Sequence, residues 1–151
     1  MKSFLLHNNV PLVKFSMLPD GIFYQGELPG KDYALALCPT NEKQVFLDVD
    51  VKNGKNGYDF IPQDIYLELG ETYYYDTKSG GRHYFINYNG DKVLKNCATK
   101  YGLDCRIGAN LKTGNAGGYV RYQGIIPPQE IEPLIKPSSS LLNTWLESLF
   151  S

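Results

Sequence analysis

The sequence predicts an α+β domain in which an antiparallel sheet carries the chemistry and one amphipathic helix follows it. Three observations predict this. Short β-branched and aromatic runs recur along the chain, each bounded by Gly, Pro or Asn turn signals. The chain has 12 tyrosines against a single tryptophan, and tyrosine favours strands and half-wet surfaces. Apolar residues at clear helical spacing occur only in residues 141–150. At 151 residues and 42% hydrophobic content, the chain fits one domain with a sizeable core.

The elements follow in order. Through Lys43, short apolar runs alternate with Pro11, Pro19-Asp20-Gly21 and Pro29-Gly30, which predicts short strands and turns. Residues 33–38 read as a buried strand stopped by Pro39, and residues 44–50 as the clearest strand in the chain. With Asn41-Glu42-Lys43 as a turn, residues 33–50 are expected to form a hairpin. A glycine-rich turn occupies residues 52–57. Residues 61–69 suit either a short helix entered at Pro62 or an edge strand. Residues 72–76 read as extended, 77–81 as a tight loop and 83–88 as a strand, ended by Asn89-Gly90. Residues 102–107 form a further strand and 119–126 a last extended segment. Pro127, Pro128, Pro133 and Pro137 mark a connector, so residues 1–137 form the body of the domain. Ser138 to Ser140 cap a helix over the remaining 138–151, which either closes the core or docks on a partner.

Composition excludes several classes. The net charge is −1 and the pI about 6.1, without the basic footprint of an autonomous nucleic-acid binder. That leaves room for a local basic groove, or for an enzyme that meets DNA weakly. No apolar run approaches the roughly 20 residues that cross a bilayer, so no membrane partner is expected. Cys38, Cys97 and Cys105 form no CxxC pair, which argues against a disulfide framework and a structural zinc site. Each reads as a small core residue in a reducing cytoplasm.

Three elements carry chemistry. Asp48-Val49-Asp50 ends a strand, and the period of two sends both carboxylates to one face, where they repel unless a cation lies between them. Hard divalent ions suit such a pair, although a strand end facing solvent also explains it. In Thr77-Lys78-Ser79-Gly80-Gly81-Arg82-His83, glycines let backbone amides approach an anion while the side chains donate to phosphate oxygens. A polar hairpin with a satisfied histidine is the plainer alternative. Asp104 lies inside an apolar strand, where Arg106 or a lysine across the sheet could account for it.

The order of these elements, followed by Gly117-Gly118-Tyr119-Val120, resembles the archaeo-eukaryotic primase superfamily. Within it, the resemblance is to the primase-polymerase (prim-pol) domain of phage, plasmid and bacterial replication proteins. It spans residues 33–120 and carries Leu47-Asp48-Val49-Asp50, Ser79-Gly80-Gly81-Arg82-His83 and Gly102-Leu103-Asp104-Cys105-Arg106. It implies an antiparallel-sheet catalytic core joined to a small N-terminal αβ element. It also implies a template-dependent nucleotidyltransferase that starts or extends DNA primers. Asp48, Asp50 and Asp104 would hold two ions, Mg²⁺ or Mn²⁺, with no zinc. Ser79 and His83 would bind the phosphates of an NTP or dNTP, with Arg82, Arg106, Lys52 and Lys78 as further cations. The implied partners are a single-stranded DNA template and a helicase or other replication protein, in the cytoplasm. Where the family carries a Pro-rich turn and a serine after the last motif, this chain has Arg121-Tyr122-Gln123-Gly124. Tyr84, Tyr119 and Tyr122 are the tyrosines available to sense the sugar. Two other readings share the same residues: a nucleotide-binding replication module of this fold that is not a polymerase, and a metal-dependent nuclease or phosphohydrolase.

Overall fold

Two β-sheets and two α-helices build the chain in a computed structural model that describes residues 1–151. In chain order the strands are β1 (Lys2–His7), β2 (Val10–Pro11), β3 (Tyr33–Cys38), β4 (Gln44–Val49), β5 (Tyr74–Asp76), β6 (Arg82–Asn87), β7 (Cys97–Ala98), β8 (Leu103–Ile107), β9 (Val120–Arg121) and β10 (Lys136–Pro137). The helices are α1 (Gln63–Leu69) and α2 (Ser140–Phe150). One sheet has the order β2-β1-β3-β9 and is antiparallel throughout. The other runs β10-β6-β4-β8-β7, with β5 also paired to β6, and only the β10–β6 pair is parallel.

Strand β4 is central because it is apolar on both faces. Val45, Leu47 and Val49 point into a core closed by Ile65 and Leu69 of α1 and by Leu142, Leu146 and Phe150 of α2. Phe46 points the other way, stacks on Phe85 with ring centroids 4.2 Å apart, and joins Leu37 and Val120 of the first sheet. The face carrying Phe46 is therefore the one that continues, two residues on, to Asp48.

Helix α2 closes the core rather than standing free. The Oγ of Ser139 accepts the Leu142 N–H at 3.2 Å, capping its first turn, and Leu142, Leu146 and Phe150 form a buried stripe at intervals of four. Residues 61–69 resolve as helix: Pro62 occupies the N-cap, and Ile65 and Leu69 are buried. Cys38 and Cys105 are buried free thiols and Cys97 is half-buried. Burial pushes the Cys38 thiol up to about 11 and the Cys105 thiol up to about 12, which suits inert core residues. No helix is long and apolar enough to cross a membrane.

Three expectations are corrected. Strands β3 and β4 do not form a hairpin; β3 pairs with β1 and β9, and β4 with β6 and β8. Both strands are apolar on both faces, so each is built into the middle of its own sheet and residues 39–43 cross between the layers. The N-terminal part carries no α-helix, only a 3₁₀ turn at Phe15–Met17, because Pro11, Pro19, Gly21, Gly26 and Pro29 interrupt every run. Of the extended segment expected over 119–126, β9 pairs and the Tyr122 N–H adds one more bond, to the Leu35 carbonyl at 2.8 Å. Beyond it the chain turns back, with the Tyr122 hydroxyl held by that of Tyr73 at 3.0 Å and by the Ile126 carbonyl.

Candidate functional site

Register across the second sheet builds a row of side chains. Asp48 lies opposite His83 on β6 and opposite Asp104 on β8, while His83 lies opposite Tyr75 on β5. Directly opposed residues have Cβ atoms about 4.5–5.5 Å apart, so Tyr75, His83, Asp48 and Asp104 form one line on one face. Asp50 follows Asp48 at the end of the strand. Its backbone is fixed there: its N–H donates to the Gly102 carbonyl at 2.8 Å and its carbonyl accepts from Gly57 at 2.9 Å.

Hydrogen bonds fix this row. His83 Nε2 is 3.2 Å from Asp48 Oδ1, and its Nδ1 is 2.6 Å from the Tyr75 hydroxyl. Facing a carboxylate, Nε2 is the nitrogen that carries the proton, so in the neutral ring Tyr75 donates to Nδ1. Burial pushes the Tyr75 phenol far above its usual range, which keeps it a donor. His83 itself is buried, 5% exposed. Asp104 pairs with Arg106, Nη2 to Oδ2 at 3.4 Å. Burial raises the Asp104 carboxyl above the ordinary carboxylate range. Arg106 opposes that rise, and the charges of Asp48 and Asp50 add to it.

The two acidic strands thus place mutually repelling oxygen donors on one face, the donor chemistry that hard divalent ions satisfy. As the side chains stand, no three His, Cys, Asp or Glu residues are grouped closely enough to hold an ion together. Asp48 is paired with His83 and Asp104 with Arg106.

The hairpin loop between β5 and β6 brings Lys78 and Ser79 alongside. Gly81 packs so tightly on β4 that a Cβ there would lie 2.1 Å from the Val49 carbonyl oxygen. This contact seats the loop beside Asp48 and Asp50. The Lys78 N–H donates to Gln123 Oε1 at 2.8 Å, tying the loop to the segment after β9. A cleft of about 250 Å³ lies over the row, walled by Asp48, Asp50, Lys52, Ser79, His83 and Arg121 among others. Arg106 is on its wall, whereas Asp104, its partner in the ion pair, is not. A larger hollow of about 430 Å³ adjoins it, sharing Lys52, Ser79, Arg121 and Gln123 and adding Lys78, Tyr33 and Tyr122.

Of the residues singled out by sequence, Asp48, Asp50, Lys52, Ser79, His83 and Arg106 meet at the cleft, and Lys78 lines the adjoining hollow. Asp104 stands in the row but not on the cleft wall, and Arg82 lies away from both. Arg82 is the first residue of β6, and neighbours on a strand face opposite sides, so it points away from His83. Its Nε donates to Asp76 at 2.7 Å, its Nη1 to the Tyr84 hydroxyl at 3.0 Å, and its guanidinium lies 4.3 Å over the Tyr74 ring. Tyr84 sits on that far face too, fully buried, which leaves Tyr119 and Tyr122 near the cleft and its hollow. Tyr75, Arg121 and Gln123 are site residues that sequence reasoning missed. A signal for Tyr75 existed: a hairpin centred on Ser79 pairs residue 75 with residue 83. Arg121 and Gln123 had none, because they arrive from the other sheet.

Compared with protein-family models, curated proteins and solved structures, the chain matches none.

Proposed function

We propose that this cleft is the reaction centre of a template-dependent nucleotidyltransferase, a DNA primase-polymerase of the archaeo-eukaryotic primase type. The observation that carries the reading is the row His83–Asp48–Asp104, with the Ser79 loop seated beside it. Asp48, Asp50 and Asp104 are the residues that would hold two divalent ions, Mg²⁺ or Mn²⁺. Bound there, such ions supply charge neutralisation and orientation for in-line displacement at a phosphorus atom. The chain's own groups do the rest. Ser79, Lys52, Lys78 and Arg121 hold the triphosphate, and His83, its ring fixed by Tyr75, donates from Nε2 to a phosphate oxygen in place of Asp48, which would turn to the ions, and stabilises charge on the leaving group. A terminal 3′-hydroxyl oxygen forms the new bond to the α-phosphorus as the bond to pyrophosphate breaks, and the hydroxyl proton passes to solvent. Arg82 has no part in this scheme.

Primer extension and primer synthesis on single-stranded DNA with Mg²⁺ or Mn²⁺ test it. Product from the native chain, lost in the Asp48→Ala/Asp50→Ala protein, is the expected result. Abundant product from the double variant would sink the reading. Metal-dependent nucleotide binding by calorimetry without product would instead indicate the accessory module, and cleavage of labelled DNA or NTPs the nuclease or phosphohydrolase.

A further inference from the structure

The cleft is the middle of a longer trough. On one side it opens, through Lys52, Ser79, Arg121 and Gln123, into the hollow that contains Lys78. On the other it opens, through Arg106 and Tyr119, into a hollow of about 360 Å³ formed with Asn96, Gly117 and Gly118. The two arms differ in chemistry. The walls of the first carry three cations, Lys52, Lys78 and Arg121, and no carboxylate. The second has one cation, Arg106, an amide, an aromatic ring and the bare backbone of two glycines. At Gly118 a Cβ would meet Asn96 Oδ1 at 2.8 Å and Arg106 Cδ at 2.9 Å, so a glycine there keeps Arg106 seated against the arm's backbone.

We infer that the second arm is the seat of the acceptor: the 3′-terminal nucleotides of a single-stranded nucleic acid enter past Gly118 and Tyr119 and reach the row beside Arg106. The inference rests on the nucleotidyltransferase reading and fixes its polarity. Displacement at phosphorus is in line, so the attacking oxygen lies opposite the leaving pyrophosphate. The pyrophosphate belongs with the three cations of the first arm, and the attacking hydroxyl therefore comes from the opposite arm. One cation, a ring and close backbone suit a strand end carrying one charge per nucleotide and a base to stack, not a triphosphate. Arg106 thus serves the strand rather than the nucleotide.

Fluorescence anisotropy with a short single-stranded oligodeoxynucleotide bearing a free 3′-hydroxyl, and calorimetry with a nucleotide and Mn²⁺, test this on the whole chain. Arg106→Ala removes the cation. Ala116→Glu places a carboxylate at an exposed position outside any strand and next to Gly117 of the arm, so it stays informative if the first variant folds poorly. Each is expected to weaken oligonucleotide binding about tenfold, on the scale of one charge-assisted contact; nucleotide affinity within about twofold of native is expected of Ala116→Glu, because Arg106 also pairs with Asp104. Lys78→Glu and Arg121→Glu should show the reverse. Oligonucleotide affinity unchanged in the first pair, or nucleotide affinity alone falling in Ala116→Glu, overturns the inference. A native chain that binds nucleotide but no oligonucleotide also overturns the inference alone. One that binds neither overturns the reading beneath it.

Discussion

His83 is held from both sides, by Asp48 at Nε2 and by Tyr75 at Nδ1, so its ring has one orientation and one neutral tautomer. Tyr75→Phe keeps the ring packing against Tyr73, Phe85 and Tyr122 and deletes only the hydroxyl. Steady-state extension assays should then show kcat falling about tenfold, with KM for nucleotide changed less than about threefold, as expected of a positioning residue. An unchanged kcat would remove Tyr75 from the site. Asp104 makes a different prediction. Its carboxyl is raised first by burial and further by Asp48 and Asp50, so the folded chain holds that proton more tightly than the unfolded chain. Stability therefore falls as pH climbs from the ordinary carboxylate range through the raised value, and stays lower above it. Asp104→Asn cannot ionise and is expected to melt above the native protein at pH 7, the gap closing as the solution is acidified, while extension activity is lost. A melting temperature below native at pH 7 would mean that the Arg106 pair outweighs the burial of the charge. Arg82 shows the limit of motif reading at this scale. It stands next to His83 in sequence, and strand alternation sends it to the opposite face among Tyr58, Tyr74 and Tyr84.

The elements that matter most are β4 and the hairpin of β5, its loop and β6. Most of both was legible: β-branched and aromatic runs marked the strands, and Thr77 to Gly81 marked the turn. The seating of the loop was not, because it depends on the Gly81 contact with the Val49 carbonyl, across a gap that local sequence does not encode. Gly81→Ala must push the loop off β4, a backbone atom being unable to yield as a side chain would. Overpacking of this kind costs about 1–3 kcal/mol. A lower melting temperature with nucleotide affinity weakened as well is expected; an unchanged nucleotide affinity would show that Ser79 and Lys78 bind independently of that seat. Strands β3 and β4 went the other way. Their turn-linked order suggests a hairpin, yet each finds two other partners in its own sheet, since pairing depends on which strands are available to fill both edges.

For the whole molecule, a net charge of −1 coexists with a trough whose walls gather Lys52, Lys78, Arg106 and Arg121. Those cations cap the number of phosphates the trough can neutralise at four. With a slope near 0.7 per phosphate for single strands, log affinity for an oligonucleotide should fall against log salt with a slope no steeper than about −3. A steeper slope in a salt titration would place part of the strand outside the trough. By itself the sequence determined the longer strands and the final helix, through local periodicity and caps. It also put Asp48 with Asp50 on one face, because a strand alternates whatever surrounds it. Only the tertiary structure decided the rest. It aligned Tyr75, His83, Asp48 and Asp104, which come from four strands, into one row, and brought Arg121 and Gln123 to it from the other sheet. Register and sheet packing are set by which apolar faces must be buried together, a property of the folded whole that no single segment carries.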